Sequence, residues 1–128
     1  MCFILCDFTV KQANEDIVCY KILKCCGNKI ISFYYDFEYE LGKVYSSDIT
    51  KNVIPLLIHY DGFTGRHVIE GGVFHSYITK PKELLECDTA LIYHPKGIVF
   101  KCTIPKGAYY MENEHEYVSD KIRIDYEL

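Results

Sequence analysis

Apolar side chains at Ile98, Val99, Phe100, Cys102 and Ile104 predict a strand, because alternate residues of a pleated chain line one face. That run meets Pro105-Lys106-Gly107, where proline presets φ and glycine accepts positive φ, so a turn is predicted before a second strand at Ala108-Tyr109-Tyr110. A closing strand follows around Ile122 and Ile124. Residues 17–23 and 29–35 read as two further strands separated by the turn signal Cys26-Gly27-Asn28, a β-hairpin. Residues 39–45 form a short extended piece bent at Gly42, and 73–78 alternate well enough for a strand. Pro55 marks 53–58 as an edge or irregular segment, and Asp61-Gly62 with Thr64-Gly65 predicts a long mobile loop.

Helical periodicity is confined to one place. Thr79 fits an N-cap, Pro81 fits a first turn, and Leu84, Leu85, Leu91 and Ile92 recur at helical spacing until His94-Pro95 ends the run. The expectation is an α+β single domain spanning 1–128. In it, a largely antiparallel, strongly twisted sheet of six or more short strands packs on one main helix over 81–93.

Twelve Tyr and seven Phe with no Trp suit half-buried pleated surfaces. The net charge of −4 and the late acidic run Glu112, Glu114, Glu116 and Asp120 disfavour nucleic acid as partner, since a basic stripe is its usual footprint. Lys21, Lys24, Lys29 and Lys43 are the candidates for a local basic face. The apolar start ends at Asp7, too short for a signal or membrane segment, so a cytoplasmic, membrane-free protein with free thiols is expected.

Seven Cys and five His invite a metal reading, but structural zinc normally uses two close ligand pairs, and only Cys2-x3-Cys6 comes near that form. No metal site is expected. No nucleophile elbow, Walker or dinucleotide glycine pattern occurs. The strongest functional candidate is the stretch containing Gly71, Gly72, His75 and Ser76, where glycines allow close backbone approach to a ligand and an imidazole follows on a strand. The acidic run from Glu112 to Glu116 reads as a solvated loop or, alternatively, supplies a catalytic carboxylate, Glu116, that faces His75 across a cleft.

Taken together, Tyr20-Lys21, residues 39–45, residues 70–75, residues 104–110 and residues 118–122 resemble a family of uncharacterised small domains of phage and gut-bacterial (Bacteroides-type) proteins. That resemblance implies no established activity. The missing catalytic signature and the Tyr-rich strands point to a binding or accessory domain encoded by a phage or mobile element, with another protein as partner and no cofactor. A more distant resemblance is to ADP-ribosyltransferase-like domains. It implies an NAD-using enzyme in which His75 and Ser76 hold the ribose, Tyr109 or Tyr110 stacks on nicotinamide, and Glu116 stabilises the oxocarbenium-like transition state.

Overall fold

The computed structural model describes residues 3–5, 9–32, 37–47, 53–63, 65–69, 71–80 and 97–128. Among these residues the strands are β1 (Phe3–Ile4), β2 (Lys11–Gln12), β3 (Ile17–Cys26), β4 (Lys29–Ile31), β5 (Glu38–Tyr39), β6 (Val44–Ser46) and β7 (His59–Asp61). They continue with β8 (Arg66–Ile69), β9 (Phe74–Tyr77), β10 (Ile98–Ile104), β11 (Tyr109–Glu112), β12 (Glu116–Ser119) and β13 (Lys121–Glu127). The only helical element described is the 3-10 turn Ile54–Leu57, opened by Pro55. The molecule is therefore β-rich, and the α+β expectation is corrected. The helix expected over 81–93 lies outside the described residues.

Several local readings hold. β3 and β4 form the expected hairpin, with Cys26 opposite Lys29 and Gly27 at a φ of 64°. Gly42, at a φ of 79°, makes the bend between β5 and β6. The segment expected to be a long loop is instead a tight hairpin turn. Asp61 pairs with Arg66, the Gly65 N–H donates to the Asp61 carbonyl at 2.9 Å, and the Phe63 N–H donates to Asp61 Oδ1 at 3.0 Å.

Among the described residues all pairings are antiparallel. A large sheet runs β2-β11-β12-β9-β3-β10-β13-β6, with β4 and β5 added beyond β3, and a small one runs β1-β8-β7. The connections decide the shape of the large sheet. Asp120 alone links β12 to β13, yet these strands stand four places apart in the order. Four steps across a flat sheet would cover roughly 19 Å at about 4.8 Å per strand. Two residue steps of chain reach only about 7 Å. The short turn from β10 to β11, also four places apart, makes the same demand. The sheet must therefore fold over on itself, and it does so at β9 and β3, which share a single paired position, Tyr20 with Tyr77.

Folding over creates the interior. Cys19, Leu23, Phe100, Cys102, Ile104, Ala108, Ile122 and Ile124 fill it, joined by Tyr39 and flanked by Phe74 and Tyr117. Tyr39 of β5 meets Tyr45 of β6 at 5.2 Å between ring centroids and Phe74 of β9 at 6.5 Å, closing the interior across strands that are not neighbours in the sheet. Here lies the physical reason for the corrected fold class: among the described residues, the apolar inner face is covered by a second layer of strands. The small sheet packs Phe3 and Ile69 on the outer face of the large one, against Met111 and Val118.

Phe100 sits at the centre of this interior and is almost wholly buried. Phe100→Ala is expected to lower unfolding stability by about 3–5 kcal/mol. Val18→Ala, on the outer face of the neighbouring strand, is expected to change it by no more than about 0.5 kcal/mol. Urea unfolding monitored by tyrosine fluorescence distinguishes the two.

Candidate functional site

Strand alternation sorts the residues singled out by sequence. Directly opposed residues in an antiparallel pair share a face. Val118 lies opposite His75, and Glu116 opposite Tyr77, so His75, Tyr77 and Glu116 occupy the outer face of β9 and β12, with His75 and Glu116 diagonal neighbours. Ser76 lies opposite Tyr117 and points inward. Tyr110, opposite Ser119, shares that inner face and meets Tyr117 edge-on at 5.8 Å, whereas Tyr109 packs on the outer face with the Met111 cluster. Gly71 and Gly72 precede β9, Gly72 with a φ of 82°. The sheet thus brings His75 and Glu116 together and sets Ser76 and Tyr110 on its opposite side.

The interior holds a polar group that the sequence reading treated as separate pieces. Cys19 of β3 lies directly opposite Cys102 of β10, and both thiols are fully buried. The neighbouring Cys102 thiol holds Cys19 below the usual thiol range despite burial, and the Ser76 hydroxyl and the Lys21 charge act in the same sense; the Cys102 thiol itself donates to the Phe100 carbonyl at 3.6 Å. Cys102 is pushed up by its pairing with Cys19 and by burial. Lys21, a candidate for a surface basic patch, instead turns inward and donates to the His75 carbonyl. Burial lowers its pKa, and the neighbouring thiols oppose that. Lysine, two thiols and a serine inside a strand-built core form a compact, partly charged island.

A second constellation lies on the outer face of β3, β10, β13 and β6. A register shift after Lys101 opposes Lys101 to Tyr126 but Cys102 to Ile124, leaving Asp125 as the extra residue of a bulge. Bulges re-aim a side chain, and this one places Asp125 among Lys101, Thr103 and Arg123. Asp125 Oδ2 accepts from Thr103 Oγ1 at 2.6 Å and from Lys101 Nζ at 2.9 Å, and Asp125 Oδ1 accepts from Arg123 Nε at 2.6 Å. Arg123 Nη2 also donates to Thr103 Oγ1 at 3.1 Å, closing the network. Around it, register aligns Val18, Thr103, Arg123 and Val44 in one row across four strands, and Tyr20, Lys101 and Tyr126 in the next. Lys101 Nζ also rests 5.5 Å from the Tyr126 ring centroid, within cation–π range. Sequence reasoning missed this site. Its signal was the alternation of Ile122 and Ile124 with Arg123 and Asp125, one set inward and the other outward.

A third feature is apolar and exposed. Val53, Leu56, Tyr60 and Phe63 cluster in the 3-10 turn and the β7–β8 hairpin, with Phe63 at the tip entirely in solvent. Among the described residues no group of three or more His, Cys, Asp or Glu is placed to hold a metal ion. None of their helices is long and apolar enough to cross a membrane.

The network makes a pH prediction. Desolvation is the largest single influence on Asp125 and favours its neutral form. The hydrogen bonds from Thr103, Arg123 and Lys101 together outweigh it and hold the carboxyl below the usual aspartate range. The unfolded chain therefore takes up this proton at higher pH than the folded one. The stabilisation is complete above the ordinary aspartate range and is lost as pH falls through the lowered folded value. Asp125→Asn is expected to cost about 1–3 kcal/mol at pH 7, the scale of hydrogen bonds to a charged group. The difference from the parent protein should shrink towards zero in acid below about pH 4. Urea denaturation at a series of pH values checks both points.

Compared with known proteins, the chain matches no family model, no curated protein and no solved structure.

Proposed function

We propose that this chain is a binding module that engages another protein through the outer sheet face around Lys101, Arg123 and Asp125. The observation that carries the reading is the combination of apolar exposure with a fully connected polar network on one rigid surface. Val18, Val44 and Tyr126 are 49%, 47% and 52% exposed, and they surround charged groups already held in place by their own hydrogen bonds. Preorganised side chains lose little freedom on association, so contacts made there count more fully towards affinity. Tyrosine and arginine are also the residues that dominate protein interfaces.

The charge balance of the face supports a protein over a polyanion. Lys101 and Arg123 are both engaged by Asp125, with side-chain exposures of only 24% and 33%. Asp16 lies close enough to Arg123 to add to its stabilisation. Cations already neutralised in this way have little field left for a phosphate backbone. The β7–β8 hairpin is the other exposed apolar region. Its residues sit on a turn and a three-stranded sheet, whereas the proposed face spans β3, β10 and β13 of the large sheet and the edge strand β6.

The reading is tested by affinity capture from extracts of the cells in which the chain occurs, followed by titration with the protein recovered. Combining Tyr126→Ala with Val18→Ser is expected to weaken binding tenfold or more, about 1.4 kcal/mol. Phe63→Ser on the hairpin is expected to leave binding unchanged. Equal binding by the parent and the double variant, with both folded by circular dichroism, overturns the assignment of this face.

A further inference from the structure

We infer that Cys19 and Cys102 form a redox-active dithiol that closes into a disulfide between β3 and β10 when the protein meets a small peroxide. The register carries the inference. These residues stand directly opposite each other on adjacent antiparallel strands. Opposed residues have Cα separations of about 4.5–5.5 Å and side chains on a common face. A disulfide needs a Cα separation of about 4.4–6.8 Å. Both sulfurs lie inside the folded-over sheet, where Leu23, Phe100 and Ile124 share their cluster. The linkage can form without moving either strand out of register.

The surroundings favour the chemistry. Cys102 stands directly opposite Cys19, the Ser76 hydroxyl lies close to the pair, and the Lys21 ammonium provides charge nearby. The Cys19 thiolate attacks one peroxide oxygen, breaking the O–O bond and forming a sulfenic acid. The departing hydroxide takes a proton from Lys21 and leaves as water. Cys102 then attacks the Cys19 sulfur, its own proton passing to the second hydroxide, which also leaves as water. One thiolate, one thiol, one ammonium and one peroxide thus become a disulfide, two waters and a neutral amine, with the two electrons from sulfur reducing the peroxide.

Burial also gives selectivity. Cys25 and Cys26 at the exposed end of β3 are open to bulky disulfides, whereas Cys19 and Cys102 have no accessible surface, so a small peroxide reaches them through local opening of the strands. Adjacent residues on a strand point to opposite faces, so Cys25 and Cys26 lack the shared face that the interior pair has.

The experiment treats the full chain with hydrogen peroxide, quenches in acid with an alkylating agent, and digests without reduction. Peptides carrying Cys19 and Cys102 are expected joined, with both thiols lost together and recovered by dithiothreitol. A second measurement uses a variant with Cys2, Cys6, Cys25, Cys26 and Cys87 all replaced by Ser. Its thiol titration in denaturant is expected to fall from two to none after peroxide, with no gain of oxygen in the intact mass. Two thiols persisting after treatment, or sulfinic and sulfonic acids at either position in place of the cross-link, overturn the inference.

Discussion

Asp120 separates two strands that a flat sheet would hold about 19 Å apart, and no arrangement of a single intervening residue spans that distance. The large sheet has to fold over before β12 and β13 can both pair. The backbone around Asp120 shows how the corner is held. Its N–H donates to the Tyr109 carbonyl at 3.0 Å, its carboxylate accepts from the Tyr109 N–H at 2.9 Å, and its carbonyl accepts from the Ser47 N–H at 2.9 Å. One buried residue thereby ties β11, the start of β13 and the end of β6 together. Burial raises its carboxyl pKa and the Tyr109 N–H pulls the other way. Its polar groups thus find partners inside the corner, as buried polar groups must.

Both constellations follow from that corner. The inner face becomes an enclosed volume, which is why Cys19, Cys102, Ser76 and Lys21 sit together without solvent access to the sulfurs. The outer face of the same strands carries Lys101, Thr103, Arg123 and Asp125, with Lys101 and Arg123 partly exposed and Thr103 buried. Alternation along β10 makes the division plain: Phe100, Cys102 and Ile104 point inward while Lys101 and Thr103 point outward. The bulge at Asp125 is the one break in this regularity, and it delivers a carboxylate to the cationic side of the sheet.

The open face and the hairpin differ as surfaces. On the face, exposed Val18, Val44 and Tyr126 surround a network whose members restrain one another. On the 3-10 turn and the hairpin, Leu56 and Phe63 stand in water. An apolar surface with fixed charges at its centre discriminates between partners, because an unmatched partner must desolvate those charges without compensation.

Strand positions, the Cys26-Gly27-Asn28 hairpin, the bend at Gly42 and the turn through Gly107 were legible in the residues themselves. Each rests on short-range physics: alternation of side chains, the fixed φ of proline and the positive φ that glycine accepts. The covering of the sheet was not legible, because an apolar face reads the same whether a helix or another sheet layer will bury it. Nor was the split of His75 and Glu116 from Ser76 and Tyr110, since it depends on pairing register rather than on order along the chain. Cys19 and Cys102 lie far apart in sequence, and Asp125 became a site residue only through a one-residue slip in pairing. Contacts between distant strands depend on where the chain turns back, and the single-residue corner at Asp120 set that.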